Sequence, residues 1–171
     1  DHRDLHSFPT RRSSDLVEVE VAGAPDDLYF QQCVKQSALF EPSVRVADLV
    51  LADNPVILDI GASIGGVTAA LAKRFPAGHV IAFEAAPSVH PSLRETVRRA
   101  IGAPITVVEK AVGAESGTLQ FHEDGNGSGW GFFSEELRGI SVPVVPGAYT
   151  VADFGLDPVS FITLHSAVCA C

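Results

Sequence analysis

The stretch VILDIGASIGGVTAALAKRF, residues 56–75, constrains the fold most, because a buried-strand pattern runs through a glycine turn straight into a helical pattern. Val56, Ile57, Leu58 and Ile60 make a short apolar run rich in β-branched residues, bounded by Asp53, Asn54 and Pro55. Such a run predicts a parallel strand covered on both faces. After Gly66 the apolar positions Val67, Ala70, Leu71 and Phe75 recur at helical spacing and stop at Pro76. Gly61 and Gly65 permit positive φ and the close approach of another backbone or a ligand. A strand, a glycine turn and a helix N-terminus together make a small-molecule cradle.

The strand and helix patterns then repeat. Val80 to Phe83 reads as a second strand ending at Glu84. Pro87 and Pro91 open a helix running to about Ala100, with Leu93, Val97 and Ile101 on its apolar face and Arg94, Arg98 and Arg99 on its solvated face. Ile105 to Val108 is a third β-branched run. This alternation predicts an open α/β parallel sheet with right-handed crossovers. Thr118 to His122, after a turn at 115–117, Val142 to Val145 and Ser160 to Leu164 read as further strands. Glu123 to Phe133 is glycine-rich and carries the one Trp; its length and irregularity predict a ligand-contact loop rather than a hairpin turn. Upstream, Val17 to Val21 alternates like a half-exposed strand, and Asp26 to Leu51 is helical in pattern with an interruption at Glu41 and Pro42. Residues 17–55 are therefore expected to support a ligand-binding domain over 56–171, and His79 and His90 read as surface residues.

With 171 residues, 46% of them hydrophobic, the chain suffices for one ordinary domain with a core. No apolar stretch approaches the roughly 18 residues of a membrane span, so no membrane partner is expected. The net charge is −9, and the 12 basic residues form no stripe that would neutralise phosphates; nucleic acid is not an expected partner. Residues 1–16 carry no periodicity, and SFPTRRSSDL resembles one reading frame of a sequencing adapter, so they are expected to contribute no folded element. Three cysteines, Cys33, Cys169 and Cys171, fit no disulfide framework and suggest a reducing, cytoplasmic location. His165 with Cys169 and Cys171 matches no zinc spacing, so no metal is expected.

Ligands of open α/β sheets sit beyond the carboxyl ends of the strands. Three such ends are rich in chemistry: Asp59 to Gly65, Glu84, and Lys110 with Ala111. Glu84 follows Gly65 by 19 residues, a spacing at which a carboxylate meets ribose hydroxyls in a nucleoside-binding βαβ unit. A dinucleotide fingerprint needs glycine where this chain has Ser63, and no phosphate-loop Gly-Lys-Ser/Thr follows. Asp59 reads both as a group that shapes or caps the turn and as a negative charge that favours a cation. A ribose, an acidic turn and no pyrophosphate demand point to S-adenosyl-L-methionine. His122, Glu123 and Asp124 are candidate bases for a hydroxyl acceptor, but read more simply as a polar loop edge, so no catalytic residue is assigned.

ILDIGASIGGVTAALA, VIAFEAAPSVHPSL and VVEKAVGAESGTLQF, in this order, resemble the FkbM-type methyltransferases over about residues 40–164. The resemblance implies a Rossmann-like, mostly parallel sheet with flanking helices and O-methylation of a small-molecule or sugar hydroxyl. It implies that Gly61, Ala62, Ser63 and Gly65 line the methionine and ribose, that Glu84 with neighbouring Ala85 takes the ribose hydroxyls, and that Ala111 flanks adenine. Ser63 stands where the family often has Asn. After Leu164 the family shows a Lys-x-Asp-x-Glu-Gly type segment, whereas this chain reads Thr163, Leu164, His165, Ser166 and Ala167. That departure predicts a sheet incomplete at its C-terminal side. Two alternatives stand beside the methyltransferase: a nicotinamide-dependent oxidoreductase and an inactive nucleoside-binding fragment.

Overall fold

The computed structural model describes residues 4–8, 17–35, 41–51, 54–123, 131–134, 138–147 and 159–165. Strands β1 (Asp4–Phe8) and β2 (Val19–Gly23) pair antiparallel, and helices α1 (Leu28–Lys35) and α2 (Glu41–Val50) follow. The strand at 4–8 corrects the expectation that residues 1–16 hold no element. Ladder bonds between backbones need no side-chain periodicity, so the pattern carries no trace of it. Glu41 and Pro42 open α2, because proline is tolerated in a first turn whose N–H has no intrahelical partner. Asp27 caps α1: its Oδ1 accepts the N–H groups of Tyr29 at 2.8 Å and Phe30 at 3.0 Å.

Next come β3 (Val56–Ile60), α3 (Gly66–Arg74), β4 (His79–Phe83), α4 (His90–Arg99) and β5 (Ile105–Val108), then β6 (Ala111–Gly113), β7 (Gly117–Glu123), β8 (Gly131–Phe133), β9 (Ile140–Pro146) and β10 (Phe161–Leu164). One sheet is parallel throughout, in the order β10-β3-β4-β5. Its register aligns Ile162, Leu58 and Ile81 across three strands. The chain steps from β3 to β4 to β5 and returns to the far side of β3 as β10, so the direction of strand succession reverses beside β3. Open α/β sheets place their ligand crevice at such a reversal.

The two faces of this sheet are covered differently. Ile57 and Val80 join the core formed with Ala69, Ala70, Leu71 and Ala72 of α3. The three α3 alanines among them let the helix lie buried between the sheet and β2, where Ala22 N–H donates to Thr96 Oγ1 of α4 at 2.9 Å. On the opposite face Leu58, Ile81 and Phe83 pack with Val108, Val112 and Val145. Ile162 and Leu164 remain 52% and 57% exposed. Ile101, expected on the apolar face of α4, lies beyond the C-cap at Ala100 and is exposed. His79 is half-buried, its Nε2 2.8 Å from Thr106 Oγ1 on β5, and His90 is buried; neither is the expected surface residue.

The second sheet is mixed, in the order β6-β9-β7-β8, with β6 parallel and β7 antiparallel to β9. The expected ligand loop at 123–133 is corrected in part, because β7 and β8 form an antiparallel pair from Phe121↔Phe133 to Glu123↔Gly131. The Phe121 and Phe133 rings, 5.1 Å apart, fasten that pair. Trp130 lies outside the described residues. Among the described residues no helix is long and apolar enough to cross a membrane.

Candidate functional site at the ends of β3, β4 and β10

Between β3 and α3 the chain turns through φ of +83° at Gly61, +50° at Ser63 and +88° at Gly65. Gly65 is required twice over: its φ is left-handed, and a Cβ there would stand 2.9 Å from Leu93 Cδ1 of α4. The close approach inferred from this glycine is thus made by the protein's own helix. Four donors of the turn are also satisfied internally. Gly61 and Ala62 N–H both donate to Phe83 O at 2.9 Å, Gly65 N–H to Ala62 O at 2.8 Å, and Ser63 N–H to Glu84 Oε2 at 2.7 Å.

Glu84 immediately follows β4 and is 6% exposed. Its Oε1 accepts the Ala86 N–H at 2.7 Å, so each carboxylate oxygen holds one backbone donor. Burial pushes its pKa up, against the N–H bonds from Ala86 and Ser63 and the nearby His90. A carboxylate offers about four lone-pair sites, so acceptor capacity remains after the two N–H bonds.

Asp59 lies one strand over and is fully buried. Its Oδ2 accepts the Thr68 hydroxyl of α3 at 2.5 Å; Oδ1 has no hydrogen-bond partner among the described residues. Burial raises its pKa, and the Thr68 hydroxyl, the His165 ring and the Thr68 amide oppose the rise. The parallel register sets Thr163 beside Asp59 and brings His165 Nε2 to 3.9 Å from Oδ1. That same nitrogen lies 2.5 Å from Thr163 Oγ1 and 3.4 Å from Ser43 Oγ. A Ser-His-Asp relay needs both ring nitrogens, one for each partner. Here a single nitrogen meets all three groups, so the cluster is no such relay. Ser63 Oγ is a second buried atom without a hydrogen-bond partner among the described residues.

The structure therefore gathers Asp59, Gly61, Ala62, Ser63, Gly65, Glu84 and Ala85 around one turn. Ala111 is buried in β6 of the mixed sheet, paired with Val144, in the same core cluster as Ile64 and Ala86. His122 stacks on Phe132 with ring centroids 5.1 Å apart, while Glu123 Oε1 accepts the Ser88 N–H at 3.2 Å and joins the end of β7 to the segment after Glu84. Asp124, Cys169 and Cys171 lie outside the described residues, among which no group of three metal-ligating side chains occurs. Thr68, Thr163, His165 and Ser43 are members of the cluster that the motifs did not reveal. Thr68 was accessible as a hydroxyl in the first turn after the glycines; Ser43 and His165, 122 residues apart, left no local signal. No protein-family model matches the chain, and no curated protein matches it significantly.

Proposed function

We propose that the chain is an S-adenosyl-L-methionine-dependent methyltransferase built on a Rossmann-like sheet and acting on a hydroxyl of a small molecule or sugar. One observation carries the reading: the buried Asp59 carboxylate faces the start of α3 with an oxygen still lacking a donor. A carboxylate at a helix N-terminus already answers the positive end of the dipole. A pyrophosphate would meet that charge, and the N–H groups of Gly61, Ala62, Ser63 and Gly65 that would cradle it are engaged within the protein. A cationic ligand meets no such conflict, and Asp59 Oδ1 and Ser63 Oγ, both buried and without a hydrogen-bond partner among the described residues, would be its acceptors.

The residues present fit the cofactor. Asp59 and Ser63 would face its charged amino-acid end, and Glu84, with unused lone pairs, its ribose hydroxyls. Bound S-adenosylmethionine supplies an electrophilic methyl group. The protein's part is to hold the turn rigid through Phe83 and Glu84 and so fix the acceptor's line of approach, which supplies most of the acceleration in such displacements.

Isothermal titration calorimetry of the full chain with S-adenosylhomocysteine and with NAD tests this. Binding of S-adenosylhomocysteine and not NAD is expected, with transfer of a methyl group to a hydroxylated acceptor as the activity to seek. Binding of NAD alone, or of neither by a chain with a folded circular-dichroism spectrum, overturns it.

A further inference from the structure

We propose that His90 is a positioning residue that sets the Glu84 carboxylate; its consequence for ligand affinity rests on the nucleoside reading above. His90 is the first residue of α4 and is 9% exposed. Its Nε2 lies 3.0 Å from the Glu84 carbonyl oxygen, which can only accept, so Nε2 carries the proton and donates. Its Nδ1 lies 3.6 Å from Glu109 Oε2, and the other Glu109 oxygen is paired with Arg94. Glu109 immediately follows β5. The ring thus lies between the segments that follow β4 and β5.

Both peptides around Glu84 are held, the preceding one by β5 and the following one by His90. The Glu84 N–H donates to Val108 O at 3.1 Å, and its carbonyl is held by His90. With the flanking peptides fixed, the side chain leaves the backbone in one direction and reaches Ser63 N–H and Ala86 N–H together. Without the ring, the Glu84 carbonyl is a buried acceptor with no donor, and turning that peptide toward another partner swings the carboxylate off both N–H groups. A charged partner nearby does not substitute, because Arg94 is 60% exposed and engaged with Glu109.

The experiment compares His90→Phe and His90→Gln in the full chain by amide hydrogen exchange and by calorimetry with S-adenosylhomocysteine. Loss of one hydrogen bond of this kind should speed exchange at Ser63 and Ala86 by about tenfold relative to amides of β3 and weaken the ligand by about five- to tenfold. Gln, whose side-chain amide can still donate to the carbonyl, should recover both. His90→Asn, too short to reach, replaces Phe if the Phe variant does not fold and should behave as Phe is expected to. Unchanged exchange at Ser63 and Ala86 overturns the proposal, and so does a uniform rise across the whole sheet, which marks a general loss of stability. Failure of the unsubstituted chain to bind S-adenosylhomocysteine removes only the nucleoside reading, since exchange is read without ligand.

Discussion

The ends of β3 and β4 lie side by side, each carries a buried carboxylate, and burial raises the pKa of both. They differ in what answers the charge. Glu84 has a backbone N–H on each oxygen, whereas Asp59 has the Thr68 hydroxyl on Oδ2 and, among the described residues, no hydrogen-bond donor on Oδ1, which His165 Nε2 approaches only to 3.9 Å. Burial of both with unequal compensation separates a group that shapes the chain from one whose second oxygen lacks a hydrogen-bond donor among the described residues. Glu84 holds Ser63 and Ala86 in place and so defines the turn. Asp59 is supported by the fold on one side and presents an acceptor on the other.

Four substitutions bear on that contrast, and urea unfolding measures each. Gly65→Ala alters the turn shared by both carboxylates and is expected to cost most, about 2–4 kcal/mol, from left-handed strain and crowding of Leu93. A loss below about 1 kcal/mol would show a turn too pliable to serve as a common frame. Glu84→Gln sets an amide NH₂ against one of two backbone N–H groups and should cost about 2 kcal/mol. Thr68→Val removes the hydroxyl that donates to Asp59 Oδ2 and leaves the Thr68 amide, for about 1–2 kcal/mol, and drives the Asp59 pKa higher still.

Asp59→Asn should change least, within about 1 kcal/mol at neutral pH, because it retains an acceptor for Thr68 and relieves the buried charge. Equal losses for Asp59→Asn and Glu84→Gln would erase the distinction between the two strand ends. The pH dependence adds a sign. A carboxyl whose folded pKa exceeds its unfolded one gives stability fully present below the ordinary carboxylate range and lost as pH rises through the folded value. Both groups are of this kind, so unfolding free energy should contain a component that falls as pH climbs above about 4. Asp59→Asn should flatten that fall; an unchanged slope would locate it elsewhere, with Asp27 the next group to test because burial raises it too.

Much of the parallel sheet was legible because its signals are local. Val56 to Ile60 and the repeat at Val67, Ala70 and Leu71 name a strand and a helix within a few residues of each other. The glycine turn and Glu84 were legible for the same reason. What the motifs did not contain was direction: nothing in residue types says that the Glu84 carboxylate turns back to Ser63 N–H, or that Gly65 makes room for Leu93. Pairing between distant strands was equally hidden. β6 and β7 follow each other in the chain, yet β9 lies between them, a choice settled by tertiary packing that periodicity does not encode. His90 looked like a lone polar residue because its neighbours are a main-chain carbonyl and a carboxylate that follows β5, 19 residues on.

The placement of β10 beside β3 has a consequence for the order in which the molecule assembles. β3, β4 and β5 join through short connections and can pair early, while Ile162 must find Leu58 across most of the chain. Contacts of such long sequence separation form late, after the loop-closure entropy has been met. The wall that brings Thr163 and His165 to Asp59 is therefore a late arrival, and during synthesis the glycine turn takes shape well before its crevice closes.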